Sequence, residues 1–261
     1  MLLTASADTA RANRRRGSAA DGVTFWHTLY LGTSRYNMAP GAADPDPAAL
    51  FPMAFLVEQD PGSTAQAHYH TQDQFQLVVG GHGIMGTHEV APVTVHFTGA
   101  YTAYGPIRAS QHEGVHYFTL RNGFDPGARF MTIPENRIAL RGIPGRRHRE
   151  SVNGPLPHGG PLPHGGPLPD RGLSAEVALT LEADGMGAWR YRVAAGESVA
   201  GPDPATGRGQ YWVVVGGEMV CDEERLPRLS CTFVYPDEPP FVAAAGAAGL
   251  DVVVMQFPRR G

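Results

Sequence analysis

Residues 62–81 read GSTAQAHYHTQDQFQLVVGG, and this stretch contains the most specific spacing in the chain. Gly62 is followed after five residues by His68-x-His70, after three more by Gln74, and after six more by a second glycine. Residues i and i+2 of a strand share a face, so both imidazoles are predicted to point to the same side. A turn then brings Gln74 back beside them on the next strand. The stretch therefore predicts β-structure in which two histidines and one amide converge.

The same stretch recurs in the second half of the chain. QFQLVVGG from Gln74 is matched by QYWVVVGG from Gln210, a shift of 136 positions that also superimposes Phe97 on Phe233. The closing runs VHYFTLR and DVVVMQF match more loosely. Such an internal duplication predicts that each half repeats one fold.

Short runs rich in aromatic and β-branched residues, bounded by turn residues, recur along both halves. FPMAFLVEQ ends at Asp-Pro-Gly, FQLVV at Gly-Gly and HYFTL at Asn-Gly. The chain holds 33 glycines and 23 prolines among 261 residues, and no long amphipathic helical pattern interrupts the runs. This pattern is typical of an all-β barrel or sandwich.

The spacing around the two histidines resembles the first motif of the cupin superfamily, G-x5-HxH-x3-4-E-x6-G, and the resemblance covers both halves. It implies an all-β chain with two double-stranded β-helix barrels, that is, a bicupin. The implied domains are a mobile N-terminal tail (1–21), a first cupin (22–140), a Pro/Gly/His-rich linker (141–172) and a degenerate, structural second cupin (173–261).

Two positions depart from the family pattern. Gln74 stands where the motif has glutamate, and Tyr104, in GAYTAYGPI, stands where the second motif has a third histidine. The resemblance implies one divalent transition metal in the first cupin, held by His68, His70, Gln74 and Tyr104. Imidazole-rich sites suit iron, nickel, copper or zinc, and iron is favoured here. Gln74 and Tyr104 are also the candidate catalytic residues.

Two other interpretations of histidines in the first half of the chain stay open. In a metal-free barrel, His68 and His70 would form a polar cavity by hydrogen bonding to Gln74 and Gln76. Residues 112–116 read HEGVH, a formal zinc-protease motif. That motif needs a helix, whereas a glycine interrupts it and a strand-like run follows. His116 is instead expected on the last strand of the first barrel. There His116, like Gln76, is a candidate for contacts behind the ligands, although a packed core position is the favoured interpretation of His116.

The second half lacks this chemistry. At the same shift, His68 and His70 fall on Pro204 and Thr206, and Trp212 takes the place of Gln76. A filled, apolar second barrel is therefore expected. The linker repeats PLPHGG, and its two histidines, at 158 and 164, could bind a metal, although a simple spacer is the favoured interpretation.

These features favour an enzyme that uses a metal to act on a small anionic or chelating organic molecule. A mononuclear-iron oxygenase is the first choice; a metal-dependent lyase or isomerase and a non-catalytic ligand-binding cupin are the alternatives. A net charge of −4 without a basic field argues against nucleic acid as a partner. No apolar run is long enough to span a membrane or to form a signal peptide, so a cytoplasmic protein is expected. A homodimer is also expected, and two cysteines exclude a disulfide framework.

Overall fold

A computed structural model describes residues 2–34, 38–39, 41–157, 172–221 and 223–260. The chain divides into two compact units. The first barrel is formed by Asn13–Pro155, and the second barrel by Met1–Ala12 together with Leu156–Gly261. None of the helices in the described ranges has the length and apolar character needed to cross a membrane.

The described residues are mainly antiparallel strand, so the all-β prediction is confirmed. The short helices are α1 (Ala7–Ala10) and α2 (Pro134–Arg141), and single 3-10 turns lie at Arg11–Asn13 and Pro204–Thr206. The strands are β1 (Leu2–Ala5), β2 (Arg14–Ser18), β3 (Thr24–Leu31), β4 (Met53–Gln59), β5 (Thr64–Ala65), β6 (His68–Tyr69), β7 (Gln74–Gly81), β8 (Gly83–Met85), β9 (His88–Val90), β10 (Thr94–Thr98), β11 (Ile107–Ala109), β12 (Val115–Arg121), β13 (Arg129–Phe130), β14 (Glu150–Asn153), β15 (Leu173–Leu179), β16 (Gly187–Val193), β17 (Ser198–Ala200), β18 (Gln210–Cys221), β19 (Glu224–Pro227), β20 (Cys231–Val234) and β21 (Val242–Gln256).

The first barrel is built on a sheet in the order β14-β10-β7-β12-β4-β3-β2. A smaller sheet, β5-β11-β8-β9, and the pair β13-β6 complete it, and the sheets do not close into one hydrogen-bonded ring. Because alternate residues of a strand face the interior, three neighbouring strands point side chains into one cavity. These are Phe25 and His27 on β3, Met53, Phe55, Val57 and Gln59 on β4, and Tyr117, Thr119 and Arg121 on β12.

The strand register confirms the internal repeat. Phe75 pairs with Phe97 between β7 and β10, and Tyr211 pairs with Phe233 between β18 and β20, which preserves the 136-residue shift. The closing strands follow a shift of 135, because Leu120 pairs with Phe75 and Met255 pairs with Tyr211. The next residues along the closing strands, Arg121 and Gln256, are therefore counterparts in the two barrels.

The expectation of a mobile tail over residues 1–21 is corrected by the strand pairing. β1 pairs with β20, and β2 pairs with β3 from Arg14–Thr28 to Ser18–Thr24. Arg14 Nε donates to Glu58 Oε2 at 2.7 Å, and its guanidinium lies 3.9 Å from the centre of the Trp26 ring. Edge strands can be stabilised by backbone pairing and charged side chains without an alternating apolar pattern, so no such pattern marked them.

The expected linker over 141–172 is shorter at its N-terminal end. β14 pairs with β10, which adds residues up to Pro155 to the first barrel. Most of the PLPHGG repeat, including His158 and His164, lies outside the described residues.

Candidate functional site

The first barrel contains a cavity of about 500 Å³. Its polar residues gather on one side: His68, His70, Gln74, Arg121 and Asp125. Its other walls are mostly apolar and include Val23, Phe25, Met53, Phe55, Val57, Ala65, Tyr117 and Phe130. A cavity of this size and composition is typical of a site for a small organic molecule.

His68 and Tyr104 form one half of the polar cluster. Their backbones pair in both directions, at 3.1 and 3.0 Å. His68 Nδ1 lies 2.7 Å from the carbonyl oxygen of Gln66, so Nδ1 carries the proton. Nε2 therefore accepts from the Tyr104 hydroxyl at 2.9 Å, and that hydroxyl accepts from Gln74 Nε2 at 2.7 Å.

His70, Arg121 and Asp125 form the other half. His70 Nδ1 donates to Asp125 Oδ1 at 2.8 Å, and Arg121 Nη2 lies 3.2 Å from both ring nitrogens of His70. The same Nη2 donates to Gln74 Oε1 at 2.5 Å. Both halves therefore meet at Gln74, and a continuous hydrogen-bonded chain runs from His68 to Asp125.

Burial sets the protonation states of the cluster. It lowers the pKa of His68 from 6.5 to about 3 and lowers the pKa of His70 in the same direction, so both imidazoles are neutral. Burial also raises the pKa of the Tyr104 hydroxyl, which keeps it protonated. Burial opposes the charge of Asp125, but attraction to Arg121 and the hydrogen bonds from His70 and the Thr71 amide outweigh it and hold the pKa of that carboxyl far below its usual range. Arg121 and Asp125 are thus the charged members.

The structure brings together the four predicted site residues His68, His70, Gln74 and Tyr104, and Gln76 lies behind Tyr104 through His96, whose ring centre is 5.1 Å from that of Tyr104. Gln76 Oε1 lies 2.8 Å from His96 Nδ1, and His96 Nε2 lies 3.0 Å from Glu150 Oε1. His96 is fully buried. His116 pairs with Gly80 on the face of β12 opposite to the cavity-lining residues, so it is not part of the site.

Arg121 and Asp125 were not among the predicted site residues. The alternation of β12 was a usable signal for Arg121, because residues 117, 119 and 121 share the inward face. Asp125 lies in a loop after β12, where no periodicity indicates the direction of a side chain. It accepts from the Thr71 and Gly127 backbone amides, both at 2.8 Å.

A divalent metal does not fit this cluster as it is folded. Arg121 Nη2 donates to Gln74 Oε1 and lies 3.2 Å from His70 Nε2, two of the atoms that would have to bind the ion. Tyr104 donates to His68 Nε2, the third. None of the four predicted ligands is a carboxylate, so nothing among them offsets the repulsion between a metal ion and the guanidinium. The metal at these residues stays a prediction, and it would require Arg121 to move.

The buried histidines predict a pH dependence. Burial lowers the pKa of His27 from 6.5 to about 4, as it lowers that of His68 to about 3. Below about pH 6.5 the unfolded chain takes up protons that the folded barrel does not. The free energy of unfolding therefore decreases as the pH is lowered. We expect a loss of about 1–3 kcal/mol per histidine by about pH 4, measured by urea denaturation. A His27→Gln variant should show a shallower decline; identical curves for the two proteins would contradict the prediction.

In the second barrel the positions of Gln74, Gln76 and Arg121 are held by two amides and an indole, Gln210, Gln256 and Trp212. Gln210 Nε2 donates to Gln256 Oε1 at 2.7 Å, and Gln256 Nε2 donates to the Gly185 carbonyl at 2.7 Å. Trp212, fully buried, donates from Nε1 to Gln210 Oε1 at 3.2 Å. The interior is thus filled by side chains, in agreement with the absence of the HxH pair.

No family model and no curated protein matches the sequence. Solved structures do match over the whole chain. They include a bacterial pirin, YhhW from Escherichia coli, in complex with nickel(II) (11% identity, TM-score 0.57, 100% of both chains) and a candidate dioxygenase from Nostoc punctiforme (12%, 0.61, 99% of this chain and 83% of that one). An oxalate decarboxylase from Lactobacillus farciminis is also similar (13%, 0.56, 99% and 87%).

These proteins share a two-barrel architecture with the present chain over nearly its full length. At identities of 11–13% the similarity establishes the fold. The two-barrel, all-β fold that the resemblance implied is thereby confirmed.

Proposed function

We propose that the first barrel binds a small organic molecule with a largely apolar body and one anionic head group, such as a carboxylate. The observation that carries this proposal is the position of Arg121, a buried cation on the polar side of a mostly apolar cavity. The apolar walls suit the body of the ligand, and the guanidinium suits a planar anion.

The charges of the cluster favour an anion over a cation. Asp125 already accepts four hydrogen bonds, from His70 Nδ1, the Thr71 amide and hydroxyl, and the Gly127 amide, at 2.8–3.0 Å. The oxygens of this carboxylate are thus occupied by groups of the barrel. Since the neighbouring imidazoles are neutral, Arg121 is the charged group best placed to attract a ligand.

The test is a comparison of matched acids and amides. Calorimetric titration with a panel of aryl and alkyl carboxylates, each beside its primary amide, should find acids that bind and amides that do not. Arg121→Met should weaken a binding acid by about 100-fold, the scale of a lost charge-assisted contact. Arg108→Met, an exposed arginine outside this cavity, is the matched control. Equal affinity for acid and amide, or an unaffected Arg121→Met variant, would overturn the proposal.

A catalytic role is a second candidate, favoured by the hydrogen bond between His70 and Asp125. The carboxylate holds the proton on Nδ1 and leaves Nε2 as the basic nitrogen beside the cavity. This arrangement suits a general base that removes a proton from a bound acid, as in an isomerase or lyase. For any acid that is turned over, Asp125→Asn should lower kcat more than it changes KM.

The metal-dependent oxygenase, lyase or isomerase implied by the family resemblance is the competing proposal. The nickel(II) in the pirin structure supports it for this fold. In the present chain it requires Arg121 to leave the cluster, which makes metal binding a direct test. The homodimer and the cytoplasmic location stay predictions.

A further inference from the structure

We infer that Arg121 takes the place of a metal ion in the first barrel, and that its guanidinium closes the site to divalent cations. The inference concerns what occupies the polar cluster, and so it goes beyond the proposed binding of an organic anion. It is tested with metal alone.

The geometry of Arg121 is that of a central cation. One nitrogen, Nη2, lies 2.5 Å from Gln74 Oε1 and 3.2 Å from both ring nitrogens of His70. The Gln74 oxygen that would bind a metal thus accepts a hydrogen bond instead, and the guanidinium nitrogen lies against the His70 ring. Arg121 is 3% exposed and Gln74 1%, so water cannot readily replace these contacts. A metal ion would have to displace the guanidinium into an apolar cavity, at a high desolvation cost.

The surrounding groups offer no other metal site. Within the described ranges, no three His, Cys, Asp or Glu side chains lie close enough together to hold an ion. Asp125, the nearby carboxylate, is hydrogen-bonded to the far nitrogen of His70 and lies 3.9 Å from Arg121 Nη1. Asp125 therefore balances the positive charge of the guanidinium. In a protein without Arg121 it could balance part of the charge of a metal ion.

The second barrel shows that the fold does not need an arginine here. Gln256 is the counterpart of Arg121, and it accepts from Gln210, the counterpart of Gln74, at 2.7 Å. An amide is thus sufficient to link these two strands. Arg121→Gln copies the second barrel and is expected to fold, while it removes the charge from the cluster.

The experiment is titration of Ni(II) and Zn(II) into the full chain by calorimetry, with both linker histidines, His158 and His164, replaced by alanine in every protein. The parent should show no site that depends on His70. Arg121→Gln should gain one equivalent of metal at an affinity at least tenfold above the parent, and the further change His70→Ala should abolish it. Arg121→Lys, which keeps the charge, should gain nothing.

Arg190→Gln is the matched control in the second barrel. Arg190 is also buried and makes a bidentate contact with Asp251, at 2.9 and 2.6 Å. Its replacement should create no metal site. Circular dichroism and thermal melting of each variant establish that it is folded.

One stoichiometric metal bound by the parent and lost on His70→Ala would overturn the inference, whether or not the Arg121 variants fold. A folded Arg121→Gln without metal affinity would also overturn it. Neither result depends on the carboxylate panel, so failure here is distinct from failure of the proposed function.

Discussion

Replacing Asp125 by alanine is expected to lower the free energy of unfolding by about 3–5 kcal/mol, because it leaves a buried cation without its counter-charge. Asp125 is 2% exposed and is the carboxylate nearest Arg121 and His70. The change also leaves the Thr71 and Gly127 amides without their acceptor. Chemical denaturation of the full chain measures the loss, and hydrogen exchange of the β12 peptide assigns it to the first barrel.

The control for Asp125→Ala is Thr71→Val, which removes one of the hydrogen bonds to the same carboxylate. It should cost about 1.5 kcal/mol, the lower end of the net value of a hydrogen bond to a charged group. Equal effects of the two variants would show that the charge of Asp125 is unimportant and that packing dominates.

The second large effect is expected from Trp212→Ala, at about 3–5 kcal/mol, because it opens a large cavity in a closely packed interior. Trp212 is fully buried, stacks on Tyr191 at 6.1 Å between ring centres and meets the edge of Phe241 at 5.0 Å. Thermal and urea denaturation of the full chain measure the loss.

Trp26→Ala is the matched control for Trp212→Ala. Trp26 is only partly buried. It lies on β3, where the guanidinium of Arg14 lies over its ring. Its removal should cost less than half as much. A Trp212→Ala protein as stable as the parent would contradict the packed interior described for the second barrel.

Local sequence patterns predicted the part of the site whose geometry is determined by residues close together in the chain. His68 and His70 face one way because alternate residues of an extended chain do, and Gln74 returns beside them because only a short turn separates it from His70. The repeat was visible because both halves use the same strand pairs, Phe75–Phe97 and Tyr211–Phe233. These features depend on periodicity and spacing, which the sequence displays directly.

Other features depended on which strands become neighbours. His116 and Arg121 lie on the same strand, yet only Arg121 faces the cavity; the register shift between His116 and Tyr117 marks where the pairing of that strand changes. The edge strands β1 and β2 carry no apolar alternation, since their stability comes from backbone pairing to strands far along the chain.

The sequence by itself determined the all-β class, the duplicated architecture and the convergence of His68, His70, Gln74 and Tyr104. Only the tertiary structure decided what lies among them. Arg121 and His70 are separated by 51 residues, and their contact exists because β12 pairs with β7 and carries the guanidinium to Gln74. A charge placed by long-range strand pairing leaves no local pattern, and its electrostatic effect on a metal site appears only when the strands are assembled.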